Sequence, residues 1–232
     1  MKHSRSSAEV EIRDAVVARF RQLWPDARII HEMNVEGGAA RADIAAVQPE
    51  RLWICEIKSE RDTLSRLPQQ LRFFGPSCHA LIVAAHAKWT LSPGMSGPHG
   101  KHGGRSRLPS KLDEATKGLG YLYDLWEYPE PVSMRWRQPY TQQVPWYRRM
   151  LELLWADEVR AVAAEHRISC MPRTPAYKLA PDIARMLTGR EIEHAVCTHL
   201  RARTFAEADP PIEIARKIVP AHPASVRQES ML

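Results

Sequence analysis

The chain contains no apolar run approaching the roughly 20 residues a helix needs to cross a bilayer, so membrane spanning is not expected. Its first residues, MKHSRSSAEVEIRD, are polar and lack the apolar stretch of a secretory signal. Cysteines number only four (Cys55, Cys78, Cys170, Cys197), with no C-x-x-C spacing. They read as reduced thiols in a cytoplasmic protein, neither a disulfide framework nor a zinc site. No fixed-period repeat is visible, which argues against solenoids and propellers. The glycines at 94, 97, 100, 103 and 104 lack the G-x-x-x-x-G-K pattern of a phosphate-binding loop. No Ser/His/Asp arrangement stands out, and His79, His86, His99 and His102 do not reproduce a metal-ligand spacing.

What is present is an ordinary globular composition: 232 residues, 44% hydrophobic and 26% charged, enough for one domain or a main domain with a small appendage. Lys and Arg total 33 against 27 Asp and Glu, a net charge of +6, which permits an anionic partner such as nucleic acid without demanding one.

The hydrophobic pattern opens with a helix. Val10, Ile12, Val16, Val17, Phe20, Leu23 and Trp24 recur at helical spacing, Ser7 is a cap candidate, and Pro25 stops the segment. Strand-like runs follow at 28–35, 40–47 and 51–58, separated by Gly37-Gly38 and by Gln48-Pro49-Glu50, short connections suited to a meander. Residues 61–74 turn helical again through Leu64, Leu67, Leu71 and Phe74, with Pro68 expected to kink or divide the helix. The unbroken apolar run at 79–85 reads as a covered strand, and its helical crossover implies a parallel pairing. The pattern therefore predicts an α/β fold, a central mixed β-sheet flanked by helices. Residues 92–110 read as a flexible loop, 120–128 and 132–138 as further strands, and 146–166, 180–187 and 190–203 as a helical C-terminal region with a frayed tail after Asp209.

The third strand ends in Cys55-Glu56-Ile57-Lys58, where alternation puts Glu56 and Lys58 on one face and Cys55, read as core, on the other. Two charges ending an apolar strand are expensive unless paired or solvated. If the preceding strand pairs as a hairpin about the 48–50 turn, Asp43 comes beside Glu56, and two carboxylates and one ammonium converge. That set suits metal-dependent phosphodiester hydrolysis. Carboxylate oxygens hold Mg²⁺, with Mn²⁺ as a substitute; the ion activates water, and a lysine offsets transition-state charge. The bland alternative is a solvated face in a chain rich in charge.

Asp43 followed by Glu56-x-Lys58, in a helix, three-strand, helix, strand order, resembles the PD-(D/E)XK restriction-endonuclease-like nuclease superfamily. The local text, Arg41-Ala42-Asp43-Ile44 and then Glu56-Ile57-Lys58-Ser59-Glu60-Arg61-Asp62-Thr63-Leu64-Ser65-Arg66-Leu67-Pro68-Gln69-Gln70, is similar to mostly uncharacterised bacterial and phage-borne members. The resemblance covers about 7–89 and implies a nuclease core over 1–140, followed by a helical region over 141–232. It implies a Mg²⁺-dependent deoxyribonuclease, a hydrolase, acting in a setting such as DNA repair or phage biology. Asp43 and Glu56 would hold the metal, with the Ile57 carbonyl as third ligand; Lys58 would act on the water. Gln70 would support them, and Glu9, or alternatively Glu11, would complete the site from the first helix. The sequence departs from the pattern in carrying Ala42 where the motif has proline and Phe74 where a tyrosine is usual.

Residues 133–149 hold Arg135, Arg137, Arg148 and Arg149, no acid, and interleaved Trp136, Tyr140, Trp146 and Tyr147. Arginine forks and aromatic faces suit single-stranded or distorted DNA; an edge strand and a helix start with core aromatics are the plainer alternative. The expected partner is DNA, with a homodimer or protein partner left open. A non-catalytic nucleic-acid-binding or assembly module retaining the fold is the competing expectation.

Overall fold

A computed structural model of the chain describes residues 6–90, 110–119, 123–129, 143–169, 171 and 173–212. Five strands, β1 (Arg28–Val35), β2 (Ala40–Val47), β3 (Leu52–Lys58), β4 (Ala80–His86) and β5 (Asp124–Tyr128), form one sheet in the order β1-β2-β3-β4-β5. The first three make an antiparallel meander, and β4 and β5 add in parallel. The helices are α1 (Ser7–Leu23), α2 (Leu67–Phe74), α3 (Ala87–Thr90), α4 (Lys111–Thr116), α5 (Tyr147–Leu151), α6 (Ala156–Glu165), α7 (Ala176–Met186) and α8 (Gly189–Ala202). The α/β class and the mixed, helix-flanked sheet expected from the sequence are what the chain forms. The β1–β2 turn needs glycine, because Gly37 and Gly38 sit at φ +61° and +95°. Among the described residues no helix is long and apolar enough to cross a membrane.

The sheet is covered on both faces. Trp53, Cys55 and Ile57 of β3 face Ile12, Val16 and Phe20 of α1. Leu52 and Ile54 face the opposite way, into a cluster with Leu71 of α2, Leu112 of α4, Leu151 of α5, Val162 of α6, Ile183 of α7 and Leu200 of α8. The C-terminal helices thus share one hydrophobic core with the sheet.

Several expectations need correction. Ser6, not Ser7, caps α1, its hydroxyl accepting the Glu9 N–H. The helix expected over 61–74 begins only at Leu67, so Pro68 lies in its first turn, where no helical N–H is lost, and the helix is neither kinked nor divided. Residues before it are held in a turn instead: the Asp62 carboxylate accepts from the Ser59 N–H at 2.7 Å and the Ser59 hydroxyl at 2.6 Å. The single helix expected over 146–166 is two, α5 and α6. Tight i→i−3 bonds from the Leu153 and Leu154 N–H groups to the Met150 and Leu151 carbonyls end the first helix. The expected loop at 92–110 (all but residue 110) and strand at 132–138 lie outside the described residues, as does the tail after 212.

A C-terminal segment straps the free side of β1. The His31 N–H donates to the Glu207 carbonyl, the Asp209 N–H donates to the Ile29 carbonyl, and the Asp209 carboxylate takes the Ile29 N–H at 2.7 Å. Arg28, 1% exposed, donates to the carbonyls of Leu200, Arg201, Arg203 and Asp209. Its guanidinium lies 5.5 Å from the centre of the Phe205 ring.

Candidate active site

The site forms where the β1–β2 pair turns over. The ladder runs through His31↔Ile44 and Met33↔Ala42, but Glu32 and Asp43 between them are not paired. Glu32 adopts φ +55°, a conformation costly for a side-chain-bearing residue. Ile29, Ile44 and Ala46 pack on the α1 side; beyond the break, Met33, Val35 and Ala42 pack with the opposite cluster. The β2–β3 ladder ends at Ile44↔Cys55, one pair short of Asp43 facing Glu56. Asp43 uses its side chain there: Oδ2 accepts the Ile57 N–H at 2.7 Å, which holds Asp43 against β3.

Glu56 and Lys58 lie on the α2 face of β3, as alternation requires. Lys58 Nζ is 2.6 Å from Glu56 Oε1 and donates to Gln70 Oε1 at 3.0 Å, while Gln70 Nε2 donates back to Glu56 Oε1 at 2.6 Å. Starting α2 at Leu67 is what brings Gln70 over the strand end. Glu56 is 2% exposed, and its second oxygen, Oε2, has no hydrogen-bond partner among the described residues. Asp43, Glu56, Ile57, Lys58 and Gln70 line a cleft of about 900 Å³, walled also by Glu9, Glu32, Phe73 and residues 205–207.

A second knot of charge faces them. Arg13 of α1, its side chain 4% exposed, points Nη2 at Glu9 Oε1 (2.9 Å), Glu32 Oε1 (3.0 Å) and Asp43 Oδ1 (3.6 Å). Its Nη1 donates to the Asp43 carbonyl at 2.6 Å and lies 3.2 Å from His31 Nδ1. Arg41, mostly exposed, pairs with the other oxygen of Glu32 at 2.7 Å.

Burial sets the ionisation of the paired acids. It pushes Glu56 up to about 8, with the Asp43 charge adding to the rise and Lys58 and Gln70 opposing it. Asp43 is also raised by burial, against the pull of the Ile57 N–H, Arg13 and Lys58. Two acids held against their preference for water make a site suited to a cation.

The fold thus brings together Asp43, Glu56, Ile57, Lys58, Gln70 and Glu9, and places only one of the two candidate helix acids at the cleft. Glu9 lines the cleft, whereas Glu11 is exposed and meets the Tyr128 hydroxyl at 3.4 Å. Arg148 is 63% exposed beside Glu152, and Arg149 is tied to Glu36 and Glu152; Arg135 and Arg137 lie outside the described residues. Phe74 is wholly buried core and does not reach the cleft. Arg13, Glu32 and His31 were not singled out from sequence. Alternation gave no signal for the break, because Ile29, Met33 and Val35 share one parity and read as one face of an unbroken strand.

Over residues 2–92 the chain matches the model of a family described as Bacteriophage P4 protein cII. That stretch is less than half of the chain, yet it holds every cleft residue named above except 205–207. No curated protein and no solved structure matches the chain.

Proposed function

We propose that the protein is a divalent-metal-dependent nuclease that hydrolyses DNA phosphodiester bonds on a restriction-endonuclease-like core. The observation that carries this reading is Glu56 Oε2, a buried carboxylate oxygen without a donor among the described residues, in a cleft it shares with Asp43. An anionic oxygen in that position calls for a cation or a proton, and the one ammonium at hand, Lys58, is committed to Oε1. The donors are hard oxygens, the kind that suit Mg²⁺ or Mn²⁺. The similarity to a bacteriophage family over the same residues supports a phage setting.

On this reading Asp43 and Glu56 hold the metal, with the Ile57 carbonyl as a third donor. When bound, the ion supplies Lewis-acid polarisation of a phosphodiester oxygen and favours deprotonation of the attacking water. Lys58 sets its ammonium beside the reacting phosphate and offsets the negative charge that grows as water attacks phosphorus and the P–O bond breaks. Gln70, by donating to Glu56 and accepting from Lys58, braces the ion pair the two side chains make. Arg148 offers an exposed phosphate contact.

The test is incubation of the full chain with linear duplex, single-stranded, flapped and branched DNA, in Mg²⁺, in Mn²⁺ and in EDTA. Cleavage that needs metal and disappears in both Asp43→Ala and Lys58→Ala is the expected result. Salt-sensitive DNA binding without metal dependence, and no cleavage of any substrate, overturns it in favour of a non-catalytic binding module.

A further inference from the structure

We propose that Arg13 takes the place of a second metal ion, so that the site recruits one divalent cation, at Glu56 and Asp43, and not two. The inference rests on the nuclease reading and sharpens it.

One guanidinium nitrogen, Nη2, lies 2.9, 3.0 and 3.6 Å from carboxylate oxygens of Glu9, Glu32 and Asp43. Ligand atoms of the same three residues lie within 4.8 Å of one another, a spacing at which carboxylates can share a metal ion. The arginine therefore sits where a cation would sit. It is held there by the backbone as well as by the carboxylates: Nη1 donates to the Asp43 main-chain carbonyl at 2.6 Å, and the side chain is 4% exposed. An arginine does not lose its proton in proteins, so this positive charge is permanent. Expelling it to admit an ion would leave a guanidinium without its buried acceptors.

The other end of the cleft is built differently. Lys58 and Gln70 both engage Glu56 Oε1, and Oε2 is left without a hydrogen-bond partner among the described residues. Asp43 joins the two ends, with Oδ1 toward Arg13 and Oδ2 on the Ile57 N–H. Two-metal phosphodiesterases use a second ion to meet charge on the opposite side of the reacting phosphate. Here the protein supplies a fixed charge at one of two cation positions and bare oxygen at the other.

The experiment counts ions. Full-length protein stripped with EDTA is titrated with Mn²⁺, free ion being followed by electron paramagnetic resonance, and thermal melting is recorded with and without Mn²⁺. Wild type is expected to bind one ion per chain. Arg13→Met and Arg13→Gln are each expected to bind two, with a larger Mn²⁺-induced rise in Tm than wild type, whereas Arg13→Lys, which keeps the charge, binds one. Should a neutral variant fold only with metal, it is refolded in Mn²⁺, dialysed and its retained ions counted. Two ions on wild type, or one ion of unchanged affinity on both neutral variants, overturns the inference while leaving the nuclease reading intact. No Mn²⁺ binding by wild type overturns the nuclease reading itself, and this inference with it.

Discussion

Glu56 is the residue at which stability and function pull in opposite directions. Its carboxyl is raised in the folded chain to about 8, so its ionisation costs the fold nothing at pH below the unfolded value and progressively more as pH rises toward 8. Glu56→Gln removes that cost while keeping an acceptor for Lys58. In EDTA at pH 8 the variant should therefore be more stable than wild type, by on the order of 2 kcal/mol in urea unfolding, with the difference shrinking toward pH 5. A divalent ion needs the ionised carboxylate, so wild-type Mn²⁺ affinity should climb with pH until about 8 and level off, and Glu56→Gln should abolish the climb. Asp43, Glu56 and Lys58 were legible from the sequence because strand alternation and hairpin spacing are local rules. Arg13 was not. It sits in a helix, four residues from Glu9, where an i,i+4 pair looks like an ordinary solvated face; only the fold shows that it points inward at three acids.

Between β3 and α2 lies a short connection that decides where Gln70 ends up. Asp62 satisfies both the N–H and the hydroxyl of Ser59, which is 1% exposed, and the Trp89 indole closes on the Ser59 carbonyl at 2.8 Å. Asp62→Ala strands two buried donors and should cost about 1–3 kcal/mol by urea unfolding, with weakened metal binding as α2 loses its anchor. Pro68→Ala should change stability by less than about 0.5 kcal/mol, because proline in a first turn breaks no helical bond. The boundaries of β1, β2 and β3 were readable to within a residue, since Gly37-Gly38 and Gln48-Pro49-Glu50 interrupt apolar alternation from both sides, whereas the strand expected over 120–128 begins only at Asp124. The start of α2 was not, because Leu64 continues the helical spacing of Leu67 and Leu71 while the Asp62 turn overrides it. The turnover at Glu32 has the same origin: propensity reads the strand as continuous, and the cost of φ +55° is met by tertiary contacts with Arg13 and Arg41.

At the scale of the whole molecule, the C-terminal helices and the strap complete what the first 90 residues begin. Arg28 spends its hydrogen-bonding capacity on carbonyls of residues 200, 201, 203 and 209, contacts between chain positions far too distant for any sequence pattern to announce. Arg28→Ala should destabilise the protein by about 3 kcal/mol or more, since it leaves several buried carbonyls unmet, and limited proteolysis should cut first within 203–209. The helices themselves were visible as amphipathic stretches. Their destination on the α2 side of the sheet was not, because an apolar face does not name the surface it will cover.

The strap also orders events in time. Every carboxylate proposed to bind metal is translated early, but the wall of the cleft at 205–207 and the acceptors for Arg28 emerge only after more than 140 further residues have been made. A chain cut short before these residues is expected to lack both the wall of the cleft and the anchor of its first strand. On the nuclease reading, the finished cleft exists only once synthesis has passed residue 209, and a shorter fragment is expected to lack both its wall and its cleavage activity.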